Sequence, residues 1–181
     1  MQEALKSAKT TSTYAIARDF CRIFAEEMND LYVLSLLLTA NTEKAEQVLL
    51  AALDDCYKAT GVFKDWARNW ARRAIVLNAI RSVEPSKHAP AATAFSPVEM
   101  AGAPDNTPLP AILRLGAFER FVFVLCLLEK YSEHEVKTLL DRTRHDVILA
   151  RNRALKHIGK WGQERIAHPT LPMAAMFAQA S

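Results

Sequence analysis

The chain has 181 residues, half of them apolar, so it can bury a real core and wholesale disorder is excluded. The formal net charge of +3 is too small to name a partner by itself, so the placement of charge along the chain must carry that argument. Five glycines and a modest aromatic content favour helices over a turn-rich sheet protein.

Met1 to Lys9 are polar and mixed, with no apolar core behind a basic start, so no secretory signal is expected. Thr10 to Thr13 offer N-cap candidates for a first helix whose stripe is Tyr14, Ala17, Phe20, Cys21 and Phe24. Asn29 and Asp30 reset the chain, and Leu31 to Thr39 reads as a second, strongly apolar helix. Asn41 is the expected cap of a third helix, with Glu43 and Glu46 in the turn where the helix dipole favours acids. Its apolar positions include Ala45, Leu49, Ala52 and Leu53, and Gly61 is read as its C-terminal glycine.

A fourth helix is predicted from about Phe63 to Val83, ended by Pro85. Trp66, Trp70, Ala74 and Leu77 are assigned to its buried face, and Lys64, Arg68, Arg72 and Arg73 to its other faces. Between Pro85 and Pro110 lie six of the eight prolines, without apolar periodicity, which predicts a linker between two helical modules.

The second module opens near Pro110. Phe118, Phe121, Val122, Leu125 and Leu128 form the stripe of one helix. Ser132 with Glu135 three residues later has the spacing of a capping box, and Val136, Leu139 and Leu140 supply that helix's apolar positions. Thr143, with Asp146, caps a last helix whose buried side is Val147, Ala150, Ala154, Leu155 and Ile158 and whose stop is Gly159. The tail from Trp161 is assigned no structure. The fold class expected is all-α, divided as 14–84, a linker 85–108, a second module 109–159 and a tail 160–181.

Ser132 to Ile158 has the pattern of a helix-turn-helix. A short capped helix braces a longer basic one, whose N-terminal residues could meet base edges in a major groove. The second helix carries Arg144, His145, Arg151, Arg153 and Lys156, preceded by Arg142, and these donors suit phosphates and guanine edges. A solvated face on a plain helical hairpin is the competing account of the same charges.

The runs LGAFERFVFVL at 115–125 and YSEHEV at 131–136, followed by Val147, Arg153 and Ala154, resemble region four of small sigma factors of the extracytoplasmic-function type. The runs LYVLSLLLT at 31–39, AEQVLLAAL at 45–53 and FKDW at 63–66 resemble region two of the same family. The resemblance implies two DNA-facing surfaces and no catalytic residues. Lys64, Arg68, Arg72 and Arg73 would serve the promoter's −10 element, and Arg142, Arg144, His145, Arg151, Arg153 and Lys156 the −35 element. It implies core RNA polymerase and promoter DNA as partners, admits an anti-sigma protein, and puts Glu46, Gln47 and Leu50 at the polymerase contact. Gln47 and Leu50 stand where the family has an acid and a glutamine. Asp141 replaces a turn glycine, Arg73 an asparagine, and Ile148, Leu149 and Ala150 a polar run. The alternative is a sigma-like interaction or regulatory module that no longer initiates transcription, using Leu50, Ile148 and Leu149 as apolar contacts.

Other chemistry finds little support. His134 and Glu135 begin a zinc-protease pattern, but Thr138 stands where its second histidine belongs. Gly159 and Lys160 lack a phosphate-binding loop, and the histidines show no ligand spacing, so no metal or cofactor is expected. Cys21, Cys56 and Cys126 are distant from one another in apolar stretches and are expected as buried, reduced thiols. The longest apolar runs, Leu31 to Ala40 and Phe121 to Leu128, fall well short of the ~20 residues of a membrane span. A cytoplasmic, non-enzymatic protein is the expectation.

Overall fold

The computed structural model describes residues 13–85 and 108–167. It is all-helical, in the order α1 (Ala17–Glu26), α2 (Met28–Thr39), α3 (Thr42–Tyr57), α4 (Ala67–Val83), α5 (Leu109–Leu113), α6 (Ala117–Phe123), α7 (Glu133–Leu139) and α8 (Arg144–Ala167). A 3-10 turn, Lys64–Trp66, leads into α4, and a π-helical stretch, Val124–Leu128, continues α6. The one extended pairing among the described residues is a bridge between Tyr14 and Phe63, whose rings stack at 5.0 Å.

Local chemistry accounts for most helix boundaries. The Asn41 side chain accepts from Lys44 N at 2.8 Å and so satisfies one orphan amide of α3. The Ser132 hydroxyl accepts from Glu135 N at 3.2 Å while Glu135 accepts from Ser132 N at 2.9 Å, closing the capping box. Thr143 and Asp146 repeat the device at α8, with Asp146 N donating to Thr143 Oγ1 at 3.2 Å. Asp141 takes the left-handed conformation, φ 49°, that the turn demands.

Six expectations are corrected. Helix α1 starts at Ala17, where Asp19 accepts from Ile16 N; Tyr14 lies before it, and the proposed caps Thr10 to Ser12 are outside the described residues. Gly61 does not end α3, which closes at Tyr57; it turns the following loop at φ 75°. In α4 the buried residues are Ala67, Ala71, Ala74, Ile75, Val76 and Ala79, whereas Trp66, Trp70 and Leu77 are exposed. A stripe of alanines lets α4 pack closely on α3 and α2, and it turns the indoles one position round the helix, into solvent. Leu128 is exposed because the wider π-helical turns advance less per residue and carry it off the stripe of Phe121 and Leu125. Gly159 does not stop α8, which continues to Ala167 through Lys160 and Gln163. A helical glycine costs about 1 kcal/mol relative to alanine, and ends a helix only where a left-handed cap is formed. Leu155 on this helix is also exposed.

The described residues on either side of 86–107 share one core. Phe20, Phe24, Leu31, Leu38, Val48 and Ile75 join Phe118, Phe121, Leu125, Val136, Val147 and Ala154 in a continuous apolar cluster. Helix α2 touches α3 and α4 on one side and α5 and α6 on the other. At that junction lies Arg120, 1% exposed. Its Nε and Nη2 donate to Leu38 O at 3.3 and 3.2 Å, and its Nη1 donates to Leu115 O at 2.9 Å. The guanidinium therefore occupies the carbonyl-rich C-terminal end of α2, where unpaired acceptors and the helix dipole favour a cation.

Candidate nucleic-acid interface

Helix α8 is positioned by its buried side, Val147, Ala150 and Ala154, against α6 and α7. Its outward side carries Arg144, His145, Leu149, Arg153 and Lys156. His145, Leu149 and Arg153 follow one another at intervals of four and so share a face. Arg151 is half-buried, and Arg142 turns inward, with Nη1 donating to Asp141 O at 3.0 Å and Nε buried without a partner. Arg142 therefore presents less of its side chain to solvent than the neighbouring Arg144.

Several of these cations already have anions. Glu133, at the start of α7, accepts from Arg144 at 2.9 Å and pairs with Arg151 at 2.8 Å. Hydrogen bonding from Arg144, reinforced by Arg151, holds the Glu133 carboxyl below the usual carboxylate range. Arg153 stands 3.8 Å from Glu119. Among the described residues His145 and Lys156 pair with no carboxylate.

The same holds for α4 and the 3-10 turn before it. Lys64 lies 3.9 Å from Asp19, and Arg68 pairs with Glu26 at 2.8 Å and with Glu27. Arg72 forms a two-pronged pair with Glu129, at 2.9 and 2.5 Å, across the junction of the two halves. Arg73 is exposed, lines the same groove as Tyr131, and is in no ion pair among the described residues. The partners Glu26 of Arg68 and Glu129 of Arg72 lie 42 and 57 residues away, so no local spacing announces them.

Glu46, Gln47 and Leu50 are all exposed on α3, Leu50 at 66%. A shallow groove of about 300 Å3 runs beside them, lined by Gln47, Ala51, Asn78 and Arg81. Cys21 is exposed, unlike the expectation for it; the buried side of α1 is Phe20, Ile23 and Phe24. Cys126 is half-buried, and Cys56 is fully enclosed, with its thiol pushed up to about 12 by burial and then by Asp55. Among the described residues no cluster of His, Cys, Asp or Glu could hold a metal ion, and no helix is long and apolar enough to cross a membrane. No known protein family matches the chain, no curated protein matches it, and no solved structure matches it.

Proposed function

We propose that this chain is a sigma-factor-like DNA-binding protein of the bacterial cytoplasm that directs transcription initiation by RNA polymerase. The observation that carries the reading is the capped start of α8. Thr143 and Asp146 fix its first turn, the left-handed Asp141 sets the preceding corner, and Arg144, His145, Arg153 and Lys156 stand outward from it. A bracing helix, a tight corner and an outward cationic helix are the parts that major-groove reading requires. In this reading the exposed Glu46, Gln47 and Leu50 of α3 meet core polymerase, and no residue has a catalytic role.

Duplex binding over a range of salt concentrations tests it. Arg144→Ala should weaken a cognate site by about 1–3 kcal/mol and relax its sequence preference. Lys156→Ala should weaken all duplexes alike and lower the salt slope by about one. Thr143→Ala controls for the cap, worth about 1 kcal/mol of helix stability. Absence of salt-dependent binding, alone and with polymerase, sinks the reading.

A second reading has its own observation. Leu50 is 66% exposed and Leu149 40% exposed. Outward leucines on both faces suit a protein partner, and an interaction module would retain a partner when Arg144 is lost and release it when Leu50 or Leu149 is made polar.

A further inference from the structure

Where the two halves meet, α4 and the turn between the π-helical stretch and α7 leave an open groove of about 600 Å3. That volume is within the range of small-molecule sites. Trp66 and Trp70 line it from one half, 68% and 45% exposed, and Leu128, Lys130 and Tyr131 line it from the other. The two indoles lie one turn apart and are left uncovered beside an exposed leucine.

The charges of the groove resolve into spent and unspent groups. Arg72 and Glu129 neutralise each other through their two-pronged pair. Glu135 is committed to capping Ser132, accepting from both its N–H, at 2.9 Å, and its hydroxyl, at 2.7 Å. Arg73 and Lys130, the latter at the rim with φ 63°, line the groove and form no ion pair among the described residues, so they are the cations left for a ligand. Aromatic faces next to two cations suit a planar ring that carries an anionic group.

We propose that this inter-half groove binds a free mononucleotide, its base against Trp66 and Trp70 and its phosphate between Arg73 and Lys130. A strand of nucleic acid would need a track of cations for successive phosphates. The neighbouring Lys64, Arg68 and Arg72 are each held by a carboxylate, so the groove offers charge for one phosphate group. Both halves supply the lining, so the nucleotide stabilises their docked arrangement. The proposal is independent of duplex binding through α8.

The test is calorimetric titration of the full chain with AMP and GMP, beside adenosine, inorganic phosphate and a short single-stranded oligonucleotide. AMP or GMP should bind saturably below about 1 mM, with adenosine and phosphate each about tenfold weaker or more. Lys130→Gln and Arg73→Gln should each weaken the nucleotide about tenfold while leaving adenosine unchanged. Trp70→Leu should weaken nucleotide and adenosine together, with helical content checked by circular dichroism. Duplex binding measured on the Lys130→Gln sample should match wild type, which separates this site from the α8 surface. Failure of every nucleotide to bind the folded chain overturns the proposal. So does phosphate binding as tightly as AMP, or binding by the oligonucleotide alone.

Discussion

Arg120 is the residue on which the docking of the two halves turns. Burial alone pushes its guanidinium down to about 10, so it remains charged at neutral pH with no carboxylate beside it. Carbonyls compensate it, Leu38 O at the end of α2 and Leu115 O just beyond α5. Arginine suits this place because its planar fork reaches two separated acceptors at once. Arg120→Met removes the desolvated charge but strands both acceptors, and a buried acceptor without a donor costs about 1–3 kcal/mol. The expected loss is about 1–3 kcal/mol in urea unfolding, since relief of the buried charge offsets part of the two penalties. Arg120→Lys keeps a more compact, more strongly hydrated charge and cannot serve both carbonyls, so it should be at least as damaging as methionine. A methionine variant as stable as wild type would show that the carbonyls find other donors.

At the scale of the element, α7 and α8 are held by the same glutamate that pairs with two of the arginines of α8. Glu133 engages Arg144 and Arg151, and Glu135 closes the cap of α7. Hydrogen bonds from Ser132 hold the Glu135 carboxyl below the usual carboxylate range, as Arg144 does for Glu133. A lowered folded pKa means that their stabilisation is complete above the ordinary carboxylate pKa and is lost as pH falls through the lowered values. Acid should thus loosen the start of α7 and release Arg144 and Arg151 together. Glu133→Gln should do the latter at neutral pH, steepening the salt dependence of duplex binding by about one to two phosphate equivalents. An unchanged slope would mean that Arg144 and Arg151 do not reach phosphates. The caps here were legible in the sequence because Asn41, Ser132 and Thr143 act on amides three residues away. The roles of Glu133 and Glu129 were not, because their partners are brought in by packing. The outward turn of Trp66 and Trp70 escaped for a related reason. Each alanine of α4 carries little hydrophobic weight, so a stripe of them is outweighed in any periodicity by two indoles, although only the alanines allow close helix approach.

For the whole molecule, the shared core changes what the proline-rich stretch 85–108 implies. Composition alone suggests two modules able to part. The described halves instead bury Arg120, Phe121 and Leu38 together, and Arg72 of one half grips Glu129 of the other. One core predicts one cooperative unfolding transition, with circular dichroism and tryptophan fluorescence coinciding. The sharper test is a site-specific protease sequence inserted between residues 86 and 107. After cleavage the two fragments should co-elute on gel filtration, because apolar contact between α2, α5 and α6 survives loss of the covalent link. Raising salt should not part them, since it screens charges and strengthens apolar association only if it does anything. Arg72→Ala in the cleaved protein separates the two contributions. The Arg72 side chain is one-third exposed, so its pair with Glu129 contributes about 1 kcal/mol after solvent screening, too little to release the fragments. Arg120→Met should raise the dissociation constant of the cleaved halves by about tenfold or more, because its stranded acceptors lie within the contact itself. Fragments that elute apart before any substitution, or two resolved unfolding transitions, would show that the halves dock only weakly and that α4 is open to DNA independently of the second half.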